Sequence, residues 1–176
     1  MVLSRKNEFE KHATEVLASL YDSGNEAQIH QLLGEEDIAF RSIPMADFRA
    51  HFLCARLALI AQTWEKICKD EGLDAADYSK AFLRQVMNAF QSPQSIQPAT
   101  TFSEYFSAPQ LEDEESEATA LAVLIFKRLG QKPTYAAENG QTVIRPAFHQ
   151  LIAALESLRT SFENQFFDFI HLHPNH

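Results

Sequence analysis

The stretch SIPMADFRAHFLCARLALIAQTWEKICKDEG, positions 42–72, constrains this chain more than any other part of it. Pro44 suits a first helical turn with Ser42 as its cap, and Gly72 suits a helix end. At about 100° per residue, a helix here carries two apolar stripes. Phe48, Phe52, Ala55 and Leu59 form one. Leu53, Leu57, Ile60, Trp64 and Cys68 form the other, on nearly the opposite side. A helix that is apolar on two sides has to be covered twice, so it belongs at the centre of a fold. The segment from about 44 to 70 is therefore expected to be a spine.

The rest of the chain offers helices to cover it. Phe9, Ala13, Val16, Leu17 and Leu20 recur at helical spacing between about 3 and 21. A short helix is expected over 26–33, burying Ile29, Leu32 and Leu33 and stopped by Gly34. Asp74 and Asp77 precede a stripe of Tyr78, Phe82, Val86 and Ala89. A helix with ALAVLIF at its heart has acidic residues before it and Lys127-Arg128 at its end, as the helix dipole favours. Asn139-Gly140 marks a turn, in a small hairpin or a plain loop. From Pro146 to about 172, Phe148, Leu151, Leu155, Leu158, Phe162 and Phe169 fall on alternating three- and four-residue steps, a coiled-coil-like seam. That seam packs against the other helices or, as a second reading, against another copy. Between helices, 91–110 holds Pro93, Pro98 and Pro109 around TFSEYF. Thr101 and Glu104 have capping-box spacing there, so a short helix is expected, as a docked connection before a lid. The expected fold is one all-α domain over 1–176, a helical bundle of five to six main helices with a central two-faced helix and a long aromatic and proline-bearing crossover.

Composition narrows the function classes. With 45% hydrophobic and 22% charged residues the chain is globular in character. A net charge of −9 and the lack of a Lys/Arg cluster argue against nucleic acid and against anionic membrane surfaces. Neither a signal-peptide core nor an apolar run long enough for a bilayer occurs, so a cytoplasmic protein is expected. Cys54 and Cys68 would sit roughly 20 Å apart along one helix, which rules out a disulfide between them.

Arg49 and Arg56 are the first candidates for a site. They are seven apart on the spine helix and lie between its apolar stripes. A guanidinium there needs an anion, which is either a carboxylate on a neighbouring helix or the head group of a ligand. Asp47 and His51, four apart, allow an on-helix hydrogen bond and a weak general-base reading. Glu8, His12 and Glu15 share a flank, but the paired Glu-x-x-His pattern of bundle di-metal sites is absent. His149 is a lone histidine on an apolar helix, and the terminal His171, His173 and His176 fall at a helix end that Pro174 closes. No cofactor, phosphate-loop or nucleophile-elbow motif occurs.

These features point to a non-enzymatic interaction module that binds a protein partner or itself, with Phe148, Leu151, Leu155, Leu158, Phe162 and Phe169 as interface candidates. The alternative is a bundle enclosing a small hydrophobic ligand or cofactor. Phe48, Phe52, Trp64 and Phe82 would wall it, and Arg49 or Arg56 would anchor an acidic head group. A metal enzyme built on carboxylates and histidines comes third.

Overall fold

The computed structural model describes residues 11, 15, 25–72, 76, 80, 84, 99–107 and 116–172. Among them, six helices and one two-stranded sheet occur. The order is α1 (Asn25–Glu35), α2 (Ile38–Arg41), α3 (Met45–Asp70), α4 (Ala99–Phe106), α5 (Glu117–Arg128), β1 (Thr134–Ala136), β2 (Thr142–Ile144) and α6 (Pro146–Leu172). Lys11, Glu15, Ala76, Lys80 and Arg84 are also helical. The protein is an all-α helical bundle with a small hairpin attached.

The spine is α3. From Cys54 to Ala61 every residue is buried, and Trp64 and Cys68 extend the burial towards its end. It packs against α1, α4, α5 and α6, which is why it needs apolar residues all round. Its start differs from the sequence expectation. Pro44 is itself the N-cap, with no side-chain cap. Ser42 instead closes α2, and its hydroxyl donates to the Ala39 carbonyl at 2.8 Å.

The seam of α6 faces inward. Phe148, Leu151, Leu155 and Phe162 are buried, and Leu158 packs against the same core. Where the three-and-four rhythm breaks at Gln165, Phe166 takes the next core place, edge-on to Trp64 at 5.0 Å. The side chain of Phe169 lies outside the described residues. In α5 the face made by Ala118, Leu121, Ala122, Ile125 and Phe126 is buried. Ser116 caps its start by accepting from Thr119 N at 3.3 Å. At its end Gly130 adopts φ of 66°, with Gln131 N donating to Phe126 O at 2.8 Å and Gly130 N to Lys127 O at 3.1 Å. This is the glycine-terminated helix end that a left-handed residue permits.

Gly34 does not stop α1. It lies inside the helix, buried against Arg41, where an added Cβ would come within 3.2 Å of the Arg41 backbone. The glycine allows the chain to double back into α2. Leu32 points outward and is 46% exposed, while Leu33 takes the core position. The crossover helix α4 begins at Ala99, so Thr101 is inside it rather than at its cap. It lies on α3 and buries Tyr105 completely. The expected helices over 3–21 and 74–89 and the rest of the crossover lie outside the described residues, apart from the helical positions already named.

Candidate functional site

The two arginines of α3 both meet Glu26, in the first turn of α1. Arg56 Nη1 donates to Glu26 Oε1 at 2.9 Å, and the two side chains are almost wholly buried. The Arg56 guanidinium also lies 5.5 Å over the Phe52 ring. Burial pulls the Arg56 pKa down, and the Glu26 carboxylate opposes that pull. Arg49 stands further off, 3.9 Å from Glu26 Oε2, with half its side chain in solvent. The anion that the buried arginine needs is therefore a side chain of this chain.

The aromatic residues named as pocket walls pack on one another. Phe48 and Phe52 stack at 5.2 Å, and Phe40 meets Phe48 edge-on at 5.7 Å. Trp64 comes twelve positions after Phe52 on one continuous helix, roughly 18 Å along the axis. Phe52 and Trp64 cannot wall one small pocket. Phe82 lies outside the described residues. Of the interface candidates on α6, Phe148, Leu151, Leu155 and Phe162 are buried in the core and Leu158 is partly buried against it, where α6 packs on α1, α3 and α5.

Sequence reasoning did not single out Asp37 and Arg145, which make the most elaborate polar contact in the described residues. Asp37 caps α2, accepting from Phe40 N through Oδ1 at 3.0 Å. Arg145, between β2 and α6, donates to the same carboxylate with both prongs, Nε to Oδ2 at 2.8 Å and Nη2 to Oδ1 at 2.7 Å. Its Nη1 donates to Gln131 Oε1 at 2.9 Å and to the Lys132 carbonyl at 3.0 Å. The guanidinium sits 5.3 Å over the Phe126 ring. Both side chains are buried, and the Arg145 hydrogen bonds hold the Asp37 carboxyl below its ordinary range. The only local signal was an aspartate three residues before Phe40, with cap spacing. The partner stands 108 positions away.

This clasp positions a surface. Ile38 follows Asp37 and is 80% exposed, and Ile144 precedes Arg145 and is 45% exposed. Two exposed large aliphatic side chains thus each neighbour, in the chain, one member of the buried ion pair. In the hairpin, Thr134 pairs with Ile144 and Tyr135 with Val143, so Tyr135, half exposed, points from the opposite face.

A second polar locus lies where α4 rests on α3. The Tyr105 hydroxyl and His51 Nδ1 are both buried and have no hydrogen-bond partner among the described residues. The two rings lie 6.1 Å apart. Burial, with Arg128 nearby, lowers the His51 pKa, and Asp47 acts weakly the other way. Tyr105 is pushed up by burial and by the neighbouring Cys54. Burial also pushes the Cys54 thiol up to about 11. All three groups stand uncharged at neutral pH.

Comparison with protein-family models, with curated proteins and with solved structures gave no match in any of the three. The functional reading therefore rests on the chain's own geometry. Among the described residues no group of three or more His, Cys, Asp and Glu side chains is arranged to hold a metal ion. Nor is any helix there long and apolar enough to cross a membrane. His149 is exposed on α6, Glu15 pairs with Lys11 at 3.8 Å, and Glu8, His12, His173 and His176 lie outside the described residues.

Proposed function

We propose that the chain is a non-enzymatic helical binding module, and that a protein partner or a second copy docks on the corner between α2 and the hairpin. The observation that carries this reading is the exposure of Ile38 and Ile144, each next in the chain to one member of the buried Asp37–Arg145 clasp. Apolar side chains held in water on a rigid frame are what a docking partner can cover with little ordering cost. With a net charge of −9, a partner surface rimmed by basic residues is the better electrostatic match. Burial pushes the Cys54 thiol up to about 11, so it supplies no thiolate nucleophile at neutral pH. Cys54 and Cys68, both buried and too far apart along α3 to bond to each other, also suit a reducing compartment, the cytoplasm.

The test uses the double variant I38S/I144T, which removes apolar surface and leaves the clasp in place. The wild type should retain a defined protein partner, or a second copy, in affinity capture and native mass spectrometry. The variant should lose it while its urea midpoint stays unchanged. A wild type that remains alone at tens of micromolar, or a variant that keeps the partner equally well, overturns the reading.

A further inference from the structure

We propose that Asn139, at the tip of the hairpin, is a site of self-modification, where the Gly140 peptide nitrogen closes on the Asn139 side chain, expels ammonia and leaves an aspartyl or isoaspartyl residue. This site and the docking corner are independent readings.

The sequence points to the position. Asn139 is the one asparagine in the chain that glycine follows. A five-membered ring joins an asparagine Cγ to the peptide nitrogen of the next residue, and a side chain on that next residue crowds its closure. Gly140 has none. The structure supplies the approach. Ala137 N donates to Gln141 O at 2.8 Å and so closes a loop of Glu138, Asn139 and Gly140, with Gly140 at φ of 78°. All three loop residues are exposed, and a Cβ added at Gly140 would meet nothing within 4 Å. The ring therefore has room, and water reaches it.

Asn139 folds over its own backbone. Its Oδ1 accepts from Gln141 N at 3.0 Å, and its Nδ2 donates to Gln141 Oε1 at 3.1 Å. The small ring closed by the first of these bonds contains both reacting atoms, Asn139 Cγ and Gly140 N. That bond also draws electron density from the side-chain carbonyl, which makes Cγ the better electrophile. One contact opposes the reaction. Gly140 N donates to Ala137 O at 2.8 Å and must release it before attack. A single hydrogen bond at an exposed turn slows the step by about tenfold or less and does not stop it.

The step needs only water. Gly140 N loses its proton to solvent and bonds to Asn139 Cγ. The Cγ–Nδ2 bond breaks as Nδ2 takes up a proton and leaves as ammonia. Water then opens the cyclic imide. Breaking the new N–Cγ bond gives aspartate. Breaking the bond from Gly140 N to the Asn139 main-chain carbonyl carbon gives isoaspartate, whose backbone runs through Cγ. Either product adds a negative charge to the hairpin tip, and the second lengthens the loop by one methylene.

The experiment keeps the full chain folded for weeks in mildly alkaline buffer at body temperature, beside a sample held in guanidinium, and reads the digests by mass spectrometry. The peptide carrying Asn139 should gain the amide-to-acid mass difference in both, at rates within about tenfold of each other. An isoaspartyl-specific methyltransferase should label it. Asn164, exposed on α6 and followed by Gln165, should keep its amide in the folded sample, because the helix holds the next peptide nitrogen. N139S keeps a turn-forming side chain without the amide and should take no label at the hairpin. Three results overturn the proposal. These are an Asn139 that keeps its amide in the folded sample, conversion of Asn164 there as fast as that of Asn139, or a product that is aspartyl alone, which direct hydrolysis gives without the ring.

Discussion

Asp37 and Arg145 show how much one residue pair can decide. Each is buried, and each would be an uncompensated charge without the other. The substitution D37N keeps a good helix cap but removes the charge, leaving Arg145 with no counter-ion. It should cost roughly 3–5 kcal/mol in urea unfolding. The double variant D37N/R145M should cost clearly less than the sum of the two single changes. The pH dependence has a definite sign. Asp37 is depressed in the folded state, chiefly by hydrogen bonding from Arg145. The pair's contribution is therefore complete above the unfolded carboxyl value of about 4 and fades as pH falls through the lower native value. The difference between wild type and D37N should accordingly shrink in urea titrations run below about pH 4. Nothing in either local sequence announces this pair, because an arginine after a strand and an aspartate before a short helix are each ordinary. The partnership joins positions 108 apart in the chain.

At the scale of elements, caps and packing faces behave as local chemistry demands. Ser116 accepts from Thr119 N, and its hydrogen bond to Glu156 is the main reason that carboxyl is lowered. S116A should cost about 1 kcal/mol in thermal or urea unfolding. It should also raise the Glu156 pKa, readable by carboxyl NMR. Phe126 has a wider reach. It meets Phe40 of α2 at 5.6 Å, Phe148 of α6 at 5.2 Å and the Arg145 guanidinium at 5.3 Å. F126A should cost about 3–5 kcal/mol and raise amide exchange in α2 and the start of α6 together. The faces of α3 and α6 were legible from apolar spacing alone, since burial repeats with the helical period. The turn at Gly34 was not. Sequence reads a glycine as a stop, whereas this one allows close approach to Arg41.

Across the whole molecule, the core joins residues of every described helix, with α3 at its centre. Cys54 and Cys68 both lie in it, at 3% and 1% exposure. Ellman's reagent at pH 8 should react with the native protein only as fast as the core opens, and with both thiols at once in denaturing urea. Fast labelling of Cys54 in native buffer would show that α4 leaves α3 readily. Amino-acid order by itself determined the helical class, the spine and the apolar seam of α6, because those follow from periodicity and from the need to cover a two-faced helix. It also required an anion for Arg56, although it could not select Glu26. Tertiary structure alone decided which charges meet, which isoleucines remain in water and which hydroxyl is sealed beside which imidazole. Those outcomes depend on contacts between distant segments, and a local pattern carries no record of what will lie across from it.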